Sequence, residues 1–141
     1  MKRLALLIPA LALFFPPAVQ AADLQVHIVG LRSAQGEVNV ALFDQEETFP
    51  VGDRRLAGAR VKAEPGMVTA SFTGLQPGTY AVSAYHDENG NGRLDKNLLG
   101  IPREGYGFSN DARGLAGPPS FAKAAFTLDG NHQVITITLQ Y

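Results

Sequence analysis

The sequence contains no cysteine. That excludes a disulfide framework, a cysteine-ligated zinc or iron–sulfur site, a cysteine nucleophile and a lipid-modified cysteine at a cleavage point. There is no excess of positive charge either: 12 Lys and Arg stand against 13 Asp and Glu, a formal net charge of −1. Nothing in that balance attracts nucleic acid or anionic lipid. Long hydrophobic runs are also missing. The longest, residues 4–15, is broken by Pro9 and is too short to span a bilayer. No strong helical period follows it, and neither a G-x-S-x-G elbow nor a phosphate-binding glycine loop is found. Gly105-Tyr106-Gly107-Phe108 has no lysine or helix start after it.

The short run has a clear context. Lys2 and Arg3 precede it, and Val19-Gln20-Ala21 places small residues at the third and first positions before a cut. This is the layout of a secretory signal peptide over residues 1–21, with cleavage expected after Ala21 and a periplasmic or secreted product. Residues 22–141 are then expected to form one domain, roughly 120 residues that can bury a single core, with no transmembrane segment.

That domain reads as short strands between turns. Leu24, Val26 and Ile28 alternate with polar residues, as do Val38, Val40 and Leu42. Residues 60–63 form a weak strand. Val68, Ala70 and Phe72 share one face, and Tyr80, Val82 and Ala84 another. Residues 121–128 and 134–139 close the chain as two strands, with Asp129-Gly130-Asn131 as a hairpin turn. The expected fold is all-β: a Greek-key β-sandwich, immunoglobulin-like or transthyretin-like, of about seven strands. Pro77-Gly78 suits a type II turn with glycine at positive φ. Tyr80, two residues on, is either a tyrosine corner bonded to the upstream backbone or an ordinary core tyrosine. Two long loops interrupt the pattern. Residues 44–58 could hold a helical turn around Glu46 and Glu47. Residues 87–120 contain Tyr106 and Phe108, and so many large apolar residues favour order.

The stretch HDENGNGRLD carries the most specific chemistry. An EF-hand-type calcium loop supplies oxygen ligands at positions 1, 3, 5, 7, 9 and 12. Counted from Asp87, these are Asp87, Asn89, Asn91, the Arg93 carbonyl and Asp95, with Gly92 at the sharp turn of position 6. Position 12 is Leu98 where a bidentate acid belongs, and no helices flank the loop, so an EF-hand is excluded. A distant acid could complete the shell, and Glu104, Asp111, Asp44 and Asp53 are candidates by loop position. Calcium is the expected cofactor, at the weak affinity of extracellular modules, roughly 10⁻⁴ to 10⁻³ M. A metal-free polar turn stays open beside this reading, because Asn-Gly pairs and Asp and Asn side chains also build turns.

Other chemistry is thinner. His86 and Asp87 are adjacent, but neighbouring strand residues point to opposite faces, which favours a structural histidine over a catalytic pair. Tyr106 and Phe108 could stack on a sugar ring or peptide, or plug the core. Glu104 and Asp111 as paired glycosidase carboxylates have no separation fixed by sequence.

The run GTYAVSAYHDENGNGRLDKNLLGIPREGYGFSNDARG, then GPPSFAKAAFTL, with GLRSAQGEVNVALFDQEETF near the start, resembles the bacterial domain of unknown function 2141 family. The resemblance covers nearly all of residues 22–141 and implies an exported β-rich domain without an established activity. LQPGTYAV is also similar, over one hairpin, to transthyretin-like and carboxypeptidase-regulatory-like β-sandwich modules. Three functional readings follow. The first is an exported, non-catalytic sandwich with a calcium-type loop, structural or binding an envelope protein or glycan. The second is a carbohydrate- or peptide-binding module using Tyr106 and Phe108. The third is a small envelope hydrolase built on His86.

Overall fold

The computed structural model describes residues 12–141; residues 1–11 of the expected signal peptide lie outside the described part. Residues 12–21 form no regular structure and are exposed. Chain order then runs β1 (Ala22–Leu31), β2 (Glu37–Phe43), β3 (Ala57–Lys62), β4 (Gly66–Leu75), β5 (Gly78–Asp87), β6 (Tyr106–Phe108), the single helical turn α1 (Phe121–Ala124), β7 (Phe126–Leu128) and β8 (Gln133–Thr138). Among the described residues no helix is long and apolar enough to cross a membrane.

The strands form two sheets, and the fold is an all-β sandwich. One sheet has the order β4-β1-β8, with β1 antiparallel to β4 and parallel to β8. The other has the order β3-β2-β5-β6, all antiparallel, and β7 also pairs with β5. The links β1–β2, β3–β4, β4–β5 and β7–β8 each cross from one sheet to the other, as in a Greek key. Alternation decides which side chains turn inward. Leu24, Val26 and Ile28 of β1, Val38, Val40 and Leu42 of β2, Val82 and Ala84 of β5 and Ile137 of β8 meet in one cluster. Each fully buried aliphatic of this kind contributes about 1.5–3 kcal/mol. Tyr80 is indeed a tyrosine corner: its hydroxyl donates to the Gln76 carbonyl at 2.6 Å.

Several local expectations need correction. Among the described residues there are eight strands, because the long loop contains β6. Residues 121–128 are not one strand. Ser120 Oγ accepts the Lys123 N–H, and alanine and lysine, good helix formers, complete one turn before the chain extends as β7. In residues 44–58 a hydrogen-bonded turn does form at Glu46, whose carbonyl accepts the Phe49 N–H at 3.3 Å, but the helical turn follows it at Gly52–Arg54. Gly78 is not left-handed; it is already strand, paired with Leu128. Asp129-Gly130-Asn131 turns the chain through an Asp129–Asn131 bond, but β7 and β8 belong to different sheets, so it is not a hairpin.

Candidate functional site

Asp87 ends β5 on the side away from the core and is 1% exposed. Its Oδ1 accepts the Asn91 N–H at 3.1 Å and its Oδ2 the Gly92 N–H at 2.7 Å. Gly90 and Gly92 have φ of 70° and 76°, which lets the chain reverse over the carboxylate. The Asn89 and Asn91 oxygens accept the backbone N–H two residues on, while both amide nitrogens donate to Asp95. Those two bonds, Asn91 first, hold the Asp95 carboxyl below its ordinary value. Arg93 is exposed and Leu98 fully so.

One of the distant acids does reach the loop. Glu104, 5% exposed, turns back onto the loop: Oε1 accepts the Glu88 N–H and Oε2 the Asp95 N–H, both at 3.0 Å. Of the four sequence candidates it is the one that reaches the loop. Asp111 bonds to Thr138 on β8 instead, and neither Asp44 nor Asp53 hydrogen-bonds to the loop among the described residues. Asp87, Asp95 and Glu104 thus share one loop, but each faces its own N–H donors. Among the described residues no three His, Asp or Glu side chains gather around a common point suited to a metal.

His86 and Asp87 diverge as strand geometry requires. His86 is fully buried on the inner face. Its Nε2 lies 2.7 Å from the Gln35 carbonyl, which can only accept, so Nε2 carries the proton and Nδ1 accepts from the Tyr141 hydroxyl at 2.8 Å. The Tyr141 hydroxyl accepts the Arg32 N–H, and the Arg32 guanidinium stacks 4.4 Å from the Tyr141 ring centroid. The same guanidinium bonds Glu88, whose other oxygen accepts from Ser33, and these contacts lower the Glu88 pKa. Ser109 is fully buried and bonds Val82 and Ala124, bridging the gap between β6 and β7 along β5. Both polar side chains therefore have their hydrogen-bonding capacity taken up by the fold.

The outer face of the five-stranded sheet is different. Register sets Arg60, Asn39, Tyr85 and Tyr106 in one row across β3, β2, β5 and β6. The adjacent row on this face is Gly58, Ala41, Ser83 and Phe108, three small residues and a ring. With residues 50–53, 55, 92–94, 96, 99–102 and 114–118 around them, these rows floor a groove of about 900 Å³. Tyr106 is half-buried in it. Phe108, 9% exposed, gives most of its ring to a second small cluster with Ala81, Ala124 and Phe49.

Polar groups in the groove are placed with some specificity. Arg55 donates to the Gly52 carbonyl at 2.6 Å and lies over Gly58, where a Cβ would strike its Nε. Burial raises the Tyr85 pKa, reinforced by Asp87 and opposed by Arg60 and Arg55. The Asn39 Nδ2 is buried and has no hydrogen-bond partner. Sequence reasoning identified Tyr106 and Phe108 but not Arg55, Arg60, Asn39 or Tyr85. The alternation around Val38 and Val40 places Asn39 opposite the core, yet only strand register shows which residues join it there.

Comparison with known proteins gives a family match. The model of the family described as "Uncharacterized protein conserved in bacteria (DUF2141)" matches residues 26–136. No curated protein and no solved structure matches the chain.

Proposed function

The chain belongs to the DUF2141 family, and for it we propose the role of a non-catalytic, exported binding module of the cell envelope. Its ligand lies in the groove on the outer face of the five-stranded sheet. Export rests on the signal-peptide pattern of residues 1–21. Binding rests on one observation: a concavity of about 900 Å³ floored by small residues and flanked by Tyr85, Tyr106 and unpaired polar groups. Small-molecule sites commonly have this size and this mixture of apolar lining with few polar groups. Glycan and peptide arrays probed with the full chain test the reading. Binding that is lost on Tyr106→Ala and Tyr85→Ala supports it. Binding that both variants leave intact would move the ligand elsewhere and end it.

A second reading concerns the loop at the groove's end, as a weak calcium site. It is supported by the Asp87-x-Asn89-x-Asn91-Gly92 spacing and by Glu104, an acid that reaches the loop where Leu98 offers no ligand. Asp87, Asn89, Asn91, the Arg93 carbonyl, Asp95 and Glu104 would hold the ion once the asparagine amides release Asp95. Calcium would fix the loop that borders the groove. Calorimetric titration decides: heat and a rise in melting temperature at millimolar calcium are expected, and neither appearing would eliminate the site.

A further inference from the structure

The groove has an uneven distribution of charge. Its charged lining consists of Arg55, Arg60, Arg93 and Lys96 against Asp53 alone, in a chain whose net charge is −1. None of those four cations is in an ion pair; among the described residues the one ion pair is Arg32–Glu88, outside the groove. Arg55 is held in place by the Gly52 carbonyl and by the space above Gly58. Arg60 lies on the same face of β3 two residues on, directly across from Asn39. The Asn39 Nδ2 in the same row is covered and has no acceptor, so a ligand oxygen meets it only if the side chain turns into the groove.

The opposite end of the row has another character. Moving from β3 through β2 to β5 and β6, about 14 Å at the usual strand spacing, the row changes from guanidinium through amide to two phenol rings. The floor beside it is Gly58, Ala41 and Ser83, with few hydrogen-bonding groups. Leu99, Ile101 and Leu115 are exposed along the rim. Exposed aliphatics grouped at a concavity mark a contact surface for apolar matter.

We infer that the groove binds an amphipathic carboxylate, its charged head over β3 between Arg55, Arg60 and the Asn39 amide, its apolar body extending over Tyr85 and Tyr106. The inference rests on the groove reading above and narrows it to one ligand class. Two guanidinium groups present forked donors that match a carboxylate, and the Asn39 amide becomes a third donor once it turns toward the head. A neutral oligosaccharide fits less well, because it would bring many hydroxyls to a floor that offers few partners.

The test uses matched probes that differ only in charge. Isotope-labelled full-length chain is titrated with 6-phenylhexanoate and 2-naphthoate, and separately with their primary amides, while nuclear magnetic resonance follows residues 39, 60, 85 and 106. The carboxylates are expected to shift those signals and to bind about tenfold or more tighter than the amides, as for hydrogen bonds to a charged group. Added salt should weaken only the carboxylates. Arg60→Gln and Arg55→Gln should lower carboxylate affinity by much more than amide affinity. Equal binding of acid and amide, no carboxylate binding, or carboxylate shifts away from these residues would each overturn the inference. A neutral glycan or peptide that binds in the groove while the carboxylates fail would preserve the binding module and discard its anionic ligand. Failure of glycans, peptides and carboxylates alike to perturb these residues would remove both. Retained amide dispersion in each arginine variant separates loss of binding from loss of fold.

Discussion

On β5, Tyr80, Val82, Ala84 and His86 face the other sheet and are 5% exposed or less. On the outer side of the same strand, Ala81 and Asp87 are buried, whereas Ser83 and Tyr85 between them are only partly covered. The inner face is closed by a continuous sheet. The outer face is closed by two separate covers. At one end, the edge-to-face rings of Phe43, Phe49, Phe108 and Phe121 lie over the sheet. At the other, a polar loop is tied down by Asp87 and Glu104. Apolar packing makes one cover and carboxylate–amide bonds make the other, so they need not fail together. The opening left between them is where the cations and the unpaired amide collect.

If the faces differ in this way, substitutions should sort by face. The largest effect is expected from Leu42→Ala, which empties a fully buried inner position and should cost about 2–5 kcal/mol in urea unfolding. Next is Glu104→Ala, which leaves the Glu88 and Asp95 N–H groups without their acceptor at a cost of about 1–3 kcal/mol. Hydrogen exchange should then accelerate at those two amides and stay slow at Val82 and Ala84. If the inner strand also accelerates, the covers are not independent of the core.

A smaller, pH-dependent effect should come from Glu88. Its folded pKa is depressed, first by the Arg32 hydrogen bond. The stabilisation is therefore present above the unfolded value, near 4.5, and disappears as pH falls through the lower folded value. As the partners are partly exposed, at most about 1 kcal/mol is at stake, and Glu88→Gln should remove it from the acid limb of the stability profile. The smallest stability change, within about 0.5 kcal/mol, is expected for Arg60→Gln, whose side chain is exposed in the groove. A large loss of stability there would make Arg60 part of the scaffold rather than of the binding surface.

Much of this division was legible before the structure. Alternation marked Val38, Val40, Leu42, Val82 and Ala84 as core, and the strand period separated His86 from Asp87. Glu104 was within reach because acids in the same long loop could be enumerated, although its turn toward the Glu88 and Asp95 amides could not. The turn at Ser120 was hidden because its apolar residues also suit a strand. Asp129-Gly130-Asn131 looked like a hairpin because a turn signal is local and does not specify which sheet the next strand joins. The groove was least legible. Its row joins residues 39, 60, 85 and 106 through three registers, and slipping any one by a residue would send its partners to the other face.

The most direct test is the side-chain amide resonance of Asn39, followed as 6-phenylhexanoate is added to the full chain. A ligand seated between Arg60 and Tyr85 lies over the Asn39 side chain and draws its covered, unpartnered Nδ2 round to an acceptor, so this signal should shift together with the Arg60 guanidinium signal and saturate with the same affinity. If the compound binds while both signals stay fixed, the open middle of the outer face is not the binding site, and the contrast between the two faces has no functional meaning.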